Sequence, residues 1–277
     1  MDVSHFSGCG NDFLIIDERK SVTFFSPTDI QMLCAQARTN GADGFISVRA
    51  SRAADLAMHY WNKDGRPASM CGNGVRALAR FLKEKCGFSH DRFTLEVAGR
   101  TLEVAYEGEE VSVDMGPPII LGWDIALPYQ GTLWHLSHID TGVPHLVTFV
   151  KDVEAVDVDT IGRFFRHHAR FQPEGANVNF VELLSSPASH AAIRTFERGV
   201  EAETLACGTG CTAAAVAIHR QLGHPTPVTF RVRSQDQLRV YYDGHTATLR
   251  GGATWLKDGI LERHQGSYRI TFAYVLL

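Results

Sequence analysis

The chain has 277 residues, 44% of them hydrophobic, with 27 Lys and Arg against 31 Asp and Glu for a formal net charge of −4. That length and apolar content suit one large core or two smaller ones, and the slight acidity excludes the basic footprint of a nucleic-acid binder or a polybasic membrane-surface protein. No apolar run approaches the ~18 residues of a membrane span, Met1-Asp2-Val3-Ser4-His5 has no basic region ahead of an apolar core, and six cysteines fall short of a secreted disulfide framework, so a cytoplasmic chain with reduced thiols is expected.

In chain order, residues 6–17 read as a glycine-rich turn, Gly8-Cys9-Gly10-Asn11, running into an apolar strand. The turn has part of a dinucleotide fingerprint, but no helix follows the glycines, so that reading is rejected. Cys9 reads as structural, and Asn11 as either a turn residue or a ligand contact. Ser26-Pro27 opens a helix over 28–36, and strands follow at 45–49 and 56–62, ending in the turn Asn62-Lys63-Asp64-Gly65. Cys71 then stands at the mouth of a second helix, with Asn73 between Gly72 and Gly74 and with Val75, Leu78, Ala79 and Leu82 at helical spacing. This helix ends near Cys86-Gly87. Strands at 93–97 and 101–106 flank the hairpin turn Gly99-Arg100, and 111–115 is a further strand. Gly116-Pro117-Pro118 breaks it and marks the crossing into a second domain.

The second half repeats the order with different spacing. A strand at 133–139 leads through Thr141-Gly142-Val143-Pro144-His145 to another at 146–150. A short helix over 160–169 carries Arg163, Arg166 and His167, with His168 and Arg170, on what reads as a solvated face. Strands at 177–182 and 191–197 precede Ala206-Cys207-Gly208-Thr209-Gly210-Cys211, which opens a second apolar helix. Strands at 228–233, 238–242, 246–250 and 252–256 follow, and an apolar strand over 268–277 returns to the first domain. The expected domains are therefore 1–116 plus 265–277, and 117–264.

Cys-Gly-x-Gly thus occurs once per half, each time opening an apolar helix. A helix N-terminus has unpaired N–H groups and a partial positive charge, so it favours a thiolate and binds anions, and flanking glycines let a carboxylate approach the backbone. A metal site through Cys207, Cys211 and His219 is a weak reading without a second cysteine pair. A single cysteine nucleophile leaves the duplication unexplained. Two acid–base thiols facing one carbon explain it, one removing a proton and the other delivering one to the opposite face. The dipole contributes roughly 0.3–1 kcal/mol, at most about 2, and so lowers a thiol by about one pKa unit. A base needs a neighbouring proton acceptor, and His145 and Glu197, each at a strand end, are the candidates.

Gly10-Asn11-Asp12-Phe13, Asn62-Lys63-Asp64-Gly65 with Cys71-Gly72-Asn73-Gly74-Val75-Arg76, Pro144-His145, Asn177-Val178-Asn179-Phe180, and Glu197-Arg198-Gly199 with Ala206-Cys207-Gly208-Thr209-Gly210 together resemble the diaminopimelate epimerase family, in the family's order and from residue 6 to the last strands. The resemblance implies an α/β fold of the α+β type. Its two pseudo-symmetric domains would each be a curved mixed sheet or barrel around a central helix, with the active site in the cleft between them. It implies interconversion of LL- and meso-diaminopimelate without pyridoxal phosphate, other cofactor or metal. By position, Cys71 and Cys207 would be the acid–base pair, assisted by His145 and Glu197 respectively. The backbone at Gly72, Asn73, Gly74, Gly208 and Thr209 would hold the reacting carboxylate. Asn11, Asn62, Asn177, Glu197 and Arg198 would hold the rest of the substrate. A homodimer is implied, with no nucleic-acid or membrane partner. Two positions depart from the family: Val143 stands where Asn is usual before Pro-His, and Gly44 where many members carry Gln, although Gly is also common there. A broader amino-acid racemase of the glutamate or proline type is the alternative, and a thiol redox or metal-binding module a remote one.

Overall fold

The computed structural model describes residues 1–37, 41–68, 70–184, 189–224 and 226–273. The chain is a mixed α+β protein of two compact units, Met1–Val113 with Gly252–Leu277, and Asp114–Gly251.

In the first unit β1 (Asp2–Gly8) and β2 (Asn11–Asp17) form an antiparallel hairpin, turned by Cys9 and Gly10 at positive φ of 53° and 82°. Helix α1 (Pro27–Ala35) starts with a capping box, the Ser26 hydroxyl accepting from the Asp29 N–H while the Asp29 carboxylate accepts from the Ser26 N–H. It carries the chain to β3 (Gly44–Arg49), parallel to β2, and β4 (Leu56–Asn62) pairs antiparallel with β3. Helix α2 (Gly72–Lys85) is the next crossover, to β5 (Arg92–Val97) parallel to β4, and β6 (Arg100–Glu107) and β7 (Glu110–Gly116) continue antiparallel. Parallel neighbours need a crossover, and both helices serve as one.

The second unit repeats this pairing step for step. Its strands are β8 (Ile119–Tyr129), β9 (Thr132–Asp140) and β10 (Pro144–Phe149), each antiparallel to the one before. Helix α3 (Val158–Arg166) crosses to β11 (Asn177–Leu183), parallel to β10, and β12 (His190–Glu197) is antiparallel to β11. After the short β13 (Ala202–Thr204), α4 (Gly208–Leu222) crosses to β14 (Val228–Arg231), parallel to β12. Then β15 (Gln237–Tyr242) and β16 (Ala247–Gly251) are antiparallel. The chain finally returns to the first unit as β17 (Thr254–His264), paired with β1, and β18 (Ser267–Phe272). Thus β17 stands to β1 as β8 does to β9, and among the described residues neither run of strands closes into a barrel.

Strands β2 and β3 are covered on both faces, which is why β2 reads Phe13-Leu14-Ile15-Ile16 without alternation. Leu14 and Ile16 join Ile30 and Leu33 of α1 in one core, and Leu146, Phe180 and Phe196 join Phe165 of α3 in its counterpart. The opposite faces hold α2 and α4. Gly72 to Ala79 of α2, then Phe81 and Leu82, are buried, as is every residue of α4 from Gly208 to Ile218. A helix buried all round is the centre of its unit. No described helix is long and apolar enough to cross a membrane.

Several expectations need adjusting. Strands β1 and β8 were not anticipated, because β1 buries polar Ser4 and His5 and β8 is interrupted by irregular register between Ile120 and Ile125. The return to the first unit begins at Gly252 rather than 265, since β17 is a single long strand on β1. Helix α3 starts earlier than 160, where Asp157 caps the Thr160 N–H. Its basic residues are not merely solvated: Arg166 and His167 bind the Glu201 carboxylate at 3.0 and 2.9 Å, and Arg163 donates to the Glu201 carbonyl at 2.9 Å. Of the last expected strand, residues 274–277 lie outside the described residues.

Candidate functional site

In the first unit Cys71 is the N-cap of α2, in extended backbone at φ −146°, and its Sγ accepts from the Gly74 N–H at 3.4 Å. Gly8 brings backbone close. A Cβ at Gly8 would lie 2.8 Å from the Asn73 carbonyl oxygen, so the β1–β2 turn sits directly on the start of α2. The Asn73 side chain is buried: its Nδ2 donates to Asn11 Oδ1 at 2.6 Å, and its Oδ1 accepts from Arg76 Nη2 at 2.8 Å. Asn11 Nδ2 points to Asp43 Oδ2 at 3.4 Å. Asn62 ends β4, where Tyr60 Oη donates to its Oδ1 at 2.9 Å. Gly44 lies opposite Asn62 in register, and a Cβ there would run into the Tyr60 ring and come 2.8 Å from the Trp61 carbonyl. A side chain at position 44 would therefore displace the Tyr60 ring, whose hydroxyl holds Asn62.

In the second unit Cys207 is the N-cap of α4 at φ −125°, buried, with Sγ 3.3 Å from Thr209 Oγ1. Burial first, and then the nearby Glu197 carboxylate, hold the Cys207 thiol well above its ordinary pKa; the Thr209 hydroxyl and the Gly210 N–H act the other way. The dipole expectation is thus corrected for Cys207, since desolvation outweighs the helix terminus. Glu197, at the end of β12, accepts from Thr204 Oγ1 at 2.7 Å. Thr141 Oγ1 donates to the Thr209 carbonyl at 3.1 Å. Asn177 uses its amide on the backbone, donating to the Pro144 carbonyl at 3.1 Å and accepting the Arg198 N–H at 2.9 Å. It therefore ties together the strand ends that carry His145 and Arg198. Arg198 Nη1 donates to the Glu174 carbonyl at 3.3 Å.

His145 is fully buried on β10, directly opposite Asn177 on β11. Asn179 Nδ2 donates to the Leu146 carbonyl at 2.9 Å and lies 3.1 Å from His145 Nδ1. A carbonyl only accepts, so the amide nitrogen must face it. The same nitrogen then makes His145 Nδ1 an acceptor and leaves the ring proton on Nε2. That Nε2 is buried with no hydrogen-bond partner among the described residues. Burial chiefly, with the Arg198 charge, pushes the His145 pKa down to about 3, so the ring is neutral at working pH. Asn179 Oδ1 accepts from Thr195 Oγ1 at 3.0 Å, and a Cβ at Gly210 would collide with it.

The structure thus gathers His145, Asn177, Glu197, Arg198, Cys207, Gly208 and Thr209 within one unit, and Asn11, Asn62, Cys71, Gly72, Asn73 and Gly74 within the other. The sequence reading missed Arg76, Asn179, Thr195 and Thr204. Asn179 had a signal, because residues two apart on a strand share a face with Asn177. The metal reading has no geometric support: His219 turns to the His224 carbonyl at 3.2 Å, and no described group of three or more His, Cys, Asp or Glu could hold an ion. Burial also pushes the Cys34 and Cys86 thiols up to about 12, as befits structural residues.

Residues 3–121 and 137–256 match the family model of diaminopimelate epimerase. A diaminopimelate epimerase of Chlorobaculum tepidum is 40% identical over 243 residues, covering 86% of this chain and 91% of that protein. One of Archaeoglobus fulgidus is 35% identical over 278 residues, covering 95% and 97%. Among solved structures, a PhzF-family phenazine biosynthesis protein of Bacillus anthracis matches with a TM-score of 0.72 at 15% identity, over 93% of this chain and 97% of that one. A hydroxyproline epimerase of Agrobacterium vitis matches with a TM-score of 0.68 at 15% identity, over 93% and 91%. At such identities these two show the fold alone.

Proposed function

The chain belongs to the diaminopimelate epimerase family, and on that premise we propose that it interconverts LL- and meso-diaminopimelate by proton transfer between one α-carbon and the thiols of Cys71 and Cys207. The observation that carries this is the duplication itself: each unit ends its buried central helix in a cysteine N-cap beside glycines. In the direction in which Cys71 is the base, its thiol gives up its proton to solvent before substrate binds, and the thiolate then takes the α-proton. Cys207, held protonated by burial and by Glu197, gives its proton to the opposite face. The reverse direction exchanges the roles, and Glu197 then accepts the Cys207 proton.

The carbanion between the two transfers needs fixed positive charge at its carboxylate. The N–H groups of Gly72 and Asn73, and of Gly208 and Thr209, would supply this from two helix termini, while the Gly74 N–H, which donates to Cys71 Sγ, steadies the thiolate. A neutral His145 with its proton on Nε2 suits a hydrogen bond to a thiolate, so its assistance to Cys71 is donation rather than proton removal. Asn11, Asn62 and Arg198 bind the remaining polar groups, and Asn177 positions the strands around them. The proposal includes a homodimer in the cytoplasm making a lysine precursor. Incubation of the purified chain with LL-diaminopimelate, followed by chiral separation, should yield the meso isomer, with glutamate, proline, lysine and arginine left unchanged. Racemisation of one of those four and not of diaminopimelate would overturn the substrate assignment.

A further inference from the structure

Among the described residues Arg76 is the largest fully buried side chain, and its partners there include no carboxylate. Its Nη2 donates to Asn73 Oδ1 at 2.8 Å and to Cys9 Sγ at 3.2 Å, its Nε faces the Gly252 carbonyl at 3.4 Å, and its Nη1 has no hydrogen-bond partner among the described residues. A buried cation without a counter-charge costs stability, so packing does not explain its presence. Its direction does. A guanidinium only donates, so Asn73 must turn its oxygen toward Arg76 and its NH2 toward Asn11. Asn11 must then turn its oxygen toward Asn73 and its own NH2 away. At the far end Asp43, a carboxylate that only accepts, is consistent with this order through a long 3.4 Å contact. A donor-only group at one end and an acceptor-only group at the other make a one-way relay, Arg76 to Asn73 to Asn11. A side-chain amide is otherwise free to flip.

We propose that Arg76 is a positioning residue that, through Asn73, locks Asn11 as a hydrogen-bond donor, so that Asn11 selects a substrate carboxylate oxygen rather than an ammonium. This deepens the functional reading above and rests on it. Asn11 is half-buried, and of its two N–H groups only one is used by Asp43.

The test is a double-mutant cycle read in KM for LL-diaminopimelate. KM is independent of the fraction of molecules folded, so a purely structural role for Arg76 lowers apparent kcat and melting temperature and leaves KM alone. Arg76→Met should raise KM about tenfold, the worth of one hydrogen bond to a carboxylate. In an Asn11→Ala background the same change should add less than about twofold. Arg76→Lys, which still only donates, should keep most of the wild-type KM. If Arg76→Met does not fold, Arg76→Gln, which accepts as well as donates, goes through the same cycle with the same expectation. An unchanged KM, or an equal rise with and without Asn11, overturns the relay. A wild-type enzyme that leaves diaminopimelate unchanged overturns the functional reading instead, a result the variants are not needed to recognise.

Discussion

His145 illustrates how much of a side chain's chemistry is decided by its second nitrogen. Asn179 fixes Nδ1 as an acceptor, and burial holds the folded pKa near 3, far below the 6.5 of an exposed imidazole. Between these values the unfolded chain takes up a proton that the folded chain does not, so stability falls as pH drops through 6.5 and is unaffected by this group above it. One such group contributes a slope of up to roughly 1.4 kcal/mol per pH unit. Urea unfolding of the wild type at pH 7, 6 and 5 should show this loss, and His145→Gln should flatten it, leaving the part due to His59 and His138, which burial also lowers. Equal slopes would mean that His145 is protonated in the fold. The sequence marked His145 through Pro144-His145 and its strand-end position. It could not show the tautomer, which depends on Leu146 and Asn179 meeting across two parallel strands.

At the scale of elements, the two central helices were legible because their apolar positions and glycine-flanked cysteines are local patterns. What surrounds them was less so. The polar strand β1 carries no period-two signal and takes one of its partners, β17, from the far end of the chain, while in β8 the alternation is confined to Ile125–Tyr129 because the register before it is irregular. The close fit of α4 to β11 was likewise invisible in sequence, although Gly210 hinted at it. A Cβ there would press on Asn179 Oδ1, whose amide also holds His145 and Thr195. Gly210→Ala should therefore cost more than a helical alanine gains. Overpacking typically costs about 1–3 kcal/mol, against roughly 1 kcal/mol of helix propensity. A melting temperature below wild type together with reduced turnover is expected. A more stable, fully active variant would show that Asn179 can yield without disturbing the site.

For the whole molecule, the duplicated pairing order is the main structural finding: seven strand pairings and two crossover helices recur in sequence in both units. Repetition of Cys-Gly-x-Gly announced it, since a duplicated fold places the same helix terminus in each half. The functional claim built on that duplication is that two separate thiols act, each with its own proton. Early turnover of LL-diaminopimelate in deuterium oxide tests it most directly. A thiol equilibrated with solvent delivers deuterium, so newly formed meso product should carry label at the inverted α-carbon while recovered substrate stays largely protiated. Cys71→Ser and Cys207→Ser should each suppress this inversion by orders of magnitude, because a hydroxyl is a far weaker acid than a thiol. Early product without label, or either serine variant running near the wild-type rate, would contradict the two-thiol account.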